Sequence, residues 1–234
     1  NHHVAEAYVG MLEQSYDRIM QAQFIDGKYL NTNGKAAAWS FSRFVHVKKD
    51  LGRIEGAPVW VSLDFNLNPM SATLWNRLPT IEGGAMLRAF KSIKLMSSDT
   101  HQMADEIIKE IGPGYSDAVI YPDPAGNAGS TKSRGKSDVA ILQEAGFKNI
   151  LFRRRIVSVR DCLNSMNNLF DKNQIEIDAG CVDLIADLEQ CVLKDDGTID
   201  KKNPMRTHWL DGFKDMCDYE FPIIKPSRSS TTQL

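Results

Sequence analysis

Two aspartates each follow a short apolar run. Val59-Trp60-Val61-Ser62-Leu63 ends on Asp64, and Ala118-Val119-Ile120-Tyr121 leads into Pro122-Asp123-Pro124. Runs of this kind are strands covered on both faces. An ionised carboxylate at the lip of such a strand is expensive to bury unless it is paired or bound to a metal. If the two strands are central, parallel neighbours, Asp64 and Asp123 stand side by side at one sheet edge. A third acid, Asp211, lies three residues after His208 on the last helical segment, so the two share one face. Asp215 follows one turn later. Three carboxylates brought to one edge repel one another unless a cation sits between them. Oxygen donors of this type suit Mg2+ or Mn2+. Two such ions, about 3.5–4 Å apart, would activate a water and stabilise the leaving oxygen in phosphodiester cleavage.

Each of these residues also has a plainer reading. Asp64 and Asp123 can serve as turn residues. His208 can be a half-buried core histidine, and Asp211, Asp215 and Asp218 a solvated acidic face. The joint occurrence of two strand-terminal acids and a helical H-x-x-D favours the site. Basic residues fit a polyanionic substrate. Lys132, Arg134 and Lys136 lie in the glycine- and serine-rich loop after Asp123, and Arg153-Arg154-Arg155 follow the next strand. Such clusters hold phosphates, though solvated loops carry them too.

The elements that must position these groups follow from periodicity. Asn66-Leu67-Asn68-Pro69 has turn chemistry, so Val59–Asp64 and Ser71–Trp75 are expected to form an antiparallel hairpin. Ala85–Met96 reads as a third strand. Ser98-Asp99-Thr100 caps a helix with Met103, Ile107, Ile108 and Ile111 on one face. Helices are expected over Val139–Ala145, Val159–Phe170 and Gly180–Leu193. Asn149–Phe152 reads as a strand, and Gln174–Ile177 as a short extended piece. Asn203-Pro204 is the expected start of the last helix, a cap residue followed by proline. Strand, strand, strand, helix, strand, helix, strand, helices is the order of a three-layer α/β fold. A mixed sheet with helices on both faces follows. Upstream, residues 4–23 show a helical repeat. Gly27–Leu30 and Ala36–Phe44 read as extended, and Lys48–Pro58 as a linker.

Composition sets outer bounds. The 234 residues are 42% hydrophobic and 25% charged, an ordinary globular balance. The net charge of −2 leaves nucleic-acid contact to local basic patches. No apolar run is long enough to span a membrane. Cys162, Cys181, Cys191 and Cys217 sit in helical patterns without CxxC spacing, which predicts reduced thiols in a cytosolic protein. A GxxxxGK[ST] loop is absent, so ATP hydrolysis by that route is not expected.

The motifs WVSLDFNLNPMSATLW, YPDPAGN with its basic loop and GKSD, RDCLNSMNNLF and THWLDGFKD together resemble the nuclease domain of the large terminase subunit of tailed bacteriophages. The likeness runs from about Val59 to Phe221 and rests on the combination. It implies an RNase H-like fold with a mixed five-stranded sheet. It also implies a metal-dependent endonuclease that cuts concatemeric viral DNA during genome packaging. Asp64 and Asp123 match the first two metal-binding acids of the family, and His208 and Asp211 its H-x-x-D, in which Asp211 would complete the site and His208 would ligate or orient the second metal. An acid that many members carry on the third strand falls here at Ser92 or a neighbour, and Asp215 is the candidate to replace it. Gly212 and Asp215 stand where the family usually has alanine and an aromatic residue. The implied partners are double-stranded DNA, an ATPase domain, the small terminase subunit and the portal protein, at the procapsid in the host cytoplasm. The implied division is a joining segment over 1–57, the nuclease domain over 58–222 and a disordered tail over 223–234. The chain would then be a fragment or a separately encoded module. A resolvase- or transposase-like nuclease on the same fold, and a non-catalytic DNA-docking module, are the alternatives.

Overall fold

The structure is a computed structural model that describes residues 36–81, 84–124, 136–152 and 157–223. Its elements in chain order are α1 (Arg43–His46), β1 (Val47–Lys48), β2 (Val59–Asp64), β3 (Met70–Pro79), β4 (Ala85–Leu95) and α2 (Thr100–Ile111). Then come β5 (Val119–Pro122), α3 (Asp138–Glu144), β6 (Asn149–Ile150), α4 (Val159–Asp171), β7 (Ile175–Asp178), α5 (Val182–Gln190) and α6 (His208–Glu220). The helical repeat expected at residues 4–23 and the extended piece at Gly27–Leu30 lie outside the described residues.

One mixed sheet runs in the order β1-β7-β4-β3-β2-β5-β6. The hairpin expected at Asn66–Pro69 joins β2 to β3, antiparallel, with Asp64 opposite Ser71. β5 lies parallel on the other side of β2, with Leu63 opposite Pro122. The five strands from β4 to β6 are the five expected from the sequence. The expectation of five strands was too low among the described residues, because β7 and β1 extend the sheet past β4. Ile175 and Ile177 supply the buried face of β7. Arg88 on β4 pairs with Glu176 on β7 at 3.0 Å, which helps to fix that added edge. β7 alternates apolar and acidic residues, and the polar residues around it masked its pairing.

The sheet separates two cores, as strand alternation requires. Trp60, Trp75 and Tyr121 face one side and pack with Phe170 of α4, Leu184 of α5 and Trp209 and Phe213 of α6. Val61, Leu63 and Leu74 face the other side and pack with Met103 and Ile107 of α2 and Leu142 of α3. Asp99 closes a capping box at the start of α2, with Gln102 as its reciprocal partner. The four cysteines are buried and free.

Two local expectations are corrected. Ala36–Phe44 is not extended throughout: Ala36 bridges Val192, and the chain then turns into α1. Ala37 and Ala38 are buried in the core beneath α4 and α5. Downstream, Leu51 N–H donates to Asp178 and Ile54 N–H to Asn76, so the polar stretch before β2 lies along the sheet. The second correction concerns the last helix, which begins at His208 and not at Asn203-Pro204. The Asn203 side chain accepts from Met205 N–H and closes a turn of its own. Thr207 then takes a left-handed conformation, φ 81°, before the helix starts.

Candidate active site

The pleat decides where the first two acids go. Asp64 shares a face of β2 with Ser62 and Trp60, so it points towards α6 and not towards α2. Asp123 N–H donates to Leu63 O at 2.9 Å and carries the β2–β5 register one residue past the strand end. Both carboxylates therefore open into the same cleft, which has a volume of about 530 Å³.

Asp64 is only 2% exposed and must be satisfied by the protein. Asn66 Nδ2 donates to its Oδ2 at 2.7 Å, and His208 Nδ1 lies 2.9 Å from the same oxygen. His208 Nε2 is 2.9 Å from the carbonyl of Pro204, which can only accept, so this nitrogen carries hydrogen. Burial opposes charge on His208, but the Asp64 and Pro204 contacts outweigh it and hold the imidazole pKa above its ordinary value. His208 thus faces Asp64, and both of its ring nitrogens are engaged.

The third and fourth acids come from α6. Asp211 and Asp215 line the cleft with Asp64 and Asp123. The plain reading of a solvated acidic face does not describe them: their side chains are 15% and 26% exposed, and Asp218 is buried. Lys214 lies between them, itself buried, with Nζ 2.7 Å from Asp215 Oδ1 and 3.3 Å from Asp211 Oδ1. Lys201 reaches Asp211 Oδ2 at 2.8 Å from the loop before the helix. Burial works to raise the Asp211 carboxyl, but the two ammonium groups together outweigh it and hold the pKa below its usual range. Burial wins at Asp215, whose pKa is raised despite Lys214, with Asp211 and Asp123 adding to the rise.

α6 approaches the sheet closely at Gly212. A Cβ there would stand 3.2 Å from Leu63 N and 3.3 Å from Leu63 C. Those are backbone atoms of the central strand and cannot easily yield. Glycine at this position lets the helix sit close to β2 and brings Asp211 towards Asp64. Gly212→Ala should therefore lower thermal stability. The helix propensity gained by alanine is about 1 kcal/mol, while overpacking against a fixed neighbour costs about 1–3 kcal/mol. A rise in Tm on thermal unfolding would show that α6 can move away from the strand.

The start of α6 is held from another helix. Thr207 makes no side-chain cap. Asp187 of α5, fully buried, accepts instead from Trp209 N–H at 3.0 Å and Leu210 N–H at 3.4 Å, and pairs with Arg206 at 3.1 Å. Sequence reasoning missed Asp187, although an acid flanked by Leu184, Ile185 and Leu188 in an apolar helix was a usable signal. It also missed Asn66, Lys201 and Lys214.

Oxygen donors of this kind suit a hard divalent cation. Among the described residues, however, no three His, Cys, Asp or Glu side chains converge closely enough to hold one ion. The Lys214 ammonium stands between the two acids of α6 instead. Ser92 on β4 pairs with Thr73 on β3 and does not line the cleft, whereas Asp215 does. Of the basic residues, Lys132, Arg134, Arg153, Arg154 and Arg155 lie outside the described residues. Lys136 pairs with Glu144 at 2.7 Å on the surface, where such a pair contributes little.

No family model and no curated protein matches the sequence. Solved structures do match. The large terminase of the thermophilic bacteriophage D6E aligns with a TM-score of 0.67 at 16% identity, over 90% of this chain and 51% of that one. The chain thus spans about half the length of that relative. The P22 large terminase nuclease domain aligns with a TM-score of 0.59 at 13% identity, over 80% of this chain and 93% of that one. The large terminase nuclease of thermophilic phage G20c, solved with bound magnesium, gives 0.53 at 10% identity, over 80% and 95%. The fold of this chain is that of the nuclease domains of phage large terminases.

Proposed function

We propose that the chain contains a divalent-metal-dependent DNA endonuclease, the cutting domain of a viral packaging motor. The observation that supports this most is the gathering of Asp64, Asp123, Asp211 and Asp215 around one cleft in this fold. The G20c nuclease has been solved with magnesium and with cobalt, and we extend divalent-metal binding to this chain. Asp64, Asp123 and Asp211 would hold the ions, two in number, with Asp215 contributing. When bound, Mg2+ or Mn2+ supplies the charge that makes water a nucleophile at neutral pH and steadies the leaving oxygen. The protein positions the groups around that chemistry. His208 and Asn66 fix the rotamer of Asp64, Gly212 sets the approach of α6, and Asp187 anchors the start of that helix.

The substrate is double-stranded DNA, with residues 58–222 as the nuclease domain. An ATPase domain, a small terminase subunit and a portal protein at the procapsid in the host cytoplasm complete the motor. Lys132, Arg134, Lys136 and Arg153–Arg155 would hold phosphates. Replacing Lys132, Arg134 and Lys136 together with alanine should weaken binding on unrelated DNA sequences alike and flatten its salt dependence. Gel-shift titrations over a salt series read this, and a loss confined to one sequence would indicate base reading.

Nicking of supercoiled plasmid in Mg2+ or Mn2+, with a chelator control, tests the activity. A non-catalytic docking module is the second reading, favoured by the lysines that already neutralise Asp211 and Asp215. DNA binding without metal-dependent nicking would support it. The two acids of α6 should also differ. Asp211 lies one turn along α6 from His208 and Asp215 two turns, so Asp211→Asn should stop cleavage at saturating metal. Asp215→Asn should chiefly raise the metal concentration needed, by about 10–100-fold. An inactive Asp215→Asn beside an active Asp211→Asn would reverse these roles.

A further inference from the structure

A lysine is rarely buried unless its charge is met, and Lys214 is 7% exposed. Its ammonium is 2.7 Å from Asp215 Oδ1, 3.3 Å from Asp211 Oδ1 and 3.5 Å from Asp211 O. Those two carboxylates line the cleft with Asp64 and Asp123. The cation therefore sits where clustered acids need positive charge, and it arrives on the same helix turn as the acids it serves. We propose that Lys214 is a resident counter-cation of the cleft, which a divalent ion must displace from Asp211 and Asp215.

Three physical points support this. Without a cation, four neighbouring carboxylates would repel one another and raise the cost of folding. Lys214 lowers that cost before any metal arrives. An oxygen bonded to an ammonium group offers fewer lone pairs to a metal, so the two cations compete. The competition is stronger at Lys214 than at Lys201, whose side chain is 64% exposed and whose ion pair is screened by solvent. Lys214 acts through the two aspartates and is a positioning residue. The inference rests on the reading that the cleft takes a divalent ion, and it concerns metal affinity, not the chemistry of cleavage.

The test is Mn2+ affinity, measured by electron paramagnetic resonance on the full chain without DNA. Lys214→Met keeps the length and removes the charge. It should bind Mn2+ at least about tenfold more tightly than the wild type, since a competing charge within about 4 Å is lost. Lys214→Arg keeps the charge and should return the affinity towards wild type. Lys201→Met should change it by less than about threefold. Unchanged or weaker Mn2+ binding in Lys214→Met would overturn the proposal, because the lysine would then be supporting the acids and not competing for them.

If the methionine variant does not fold, the wild type still decides. The Lys214 ammonium signal, followed by nitrogen-15 NMR, should shift and lose protection as Mg2+ saturates. A signal unchanged at saturation would also overturn the proposal. Plasmid nicking by the wild type is read separately. Displacement without nicking leaves this inference standing and removes the nuclease. Nicking with no gain in Mn2+ affinity in Lys214→Met does the reverse.

Discussion

Asp64→Asn should abolish plasmid nicking and leave the sheet folded. The carboxylate stands at the end of the central strand, buried, and opens into the acid cleft. Replacing it removes one charge from the proposed metal ligands and keeps the shape of the side chain. The cleavage rate should fall by at least about a thousandfold, the equivalent of about 4 kcal/mol of barrier. Stability should change by only about 1 kcal/mol, because the amide oxygen still accepts from Asn66 or His208. Circular dichroism and a nicking time course on the same preparation separate the two effects. Cleavage by the variant at the wild-type rate would remove Asp64 from the chemistry.

The largest loss of stability is expected at Asp187. It is fully buried, and one carboxylate satisfies Trp209 N–H, Leu210 N–H and Arg206. Asp187→Ala leaves two helix N-terminal donors and a guanidinium without their acceptor. Breaking such a buried cluster costs about 3–5 kcal/mol, out of a total stability of about 5–15 kcal/mol. Burial raises the Asp187 pKa above its ordinary value despite Arg206 and the two backbone donors. The acceptor oxygens thus matter more than the charge itself. Asp187→Asn, which keeps one acceptor, should therefore lose clearly less than Asp187→Ala in urea unfolding. Equal losses would show that the ion pair with Arg206 carries the stabilisation. Because α6 also holds Asp211, Asp187→Ala should lower nicking even at temperatures where it is folded.

The sheet was legible where a strand was a mostly apolar run. Val59–Asp64 and Val119–Pro122 announce central strands by their apolar residues, and their shared edge follows from that. β7 and β1 were not counted, since β7 alternates apolar and acidic residues where β5 is apolar throughout, and β1 has only two residues. Strand-end acids and the H-x-x-D spacing located the cleft. What spacing could not show is how the groups meet in three dimensions. His208 turns to Asp64, 144 residues away, and not to its helix neighbour. Asn203-Pro204 looked like a helix start, but the cap came from Asp187 on another helix. Lys214 was not singled out by spacing, and its role comes from its burial between two acids.

The most direct test of the central claim is a crystal of this chain soaked in Mn2+ and read by anomalous scattering. Expected is at least one strong peak within coordination distance of Asp64, Asp123 and Asp211, with the Lys214 ammonium moved off Asp211. No peak in the acid cleft at saturating Mn2+, with Lys214 still bonded to both aspartates, would contradict a metal-dependent nuclease at this site.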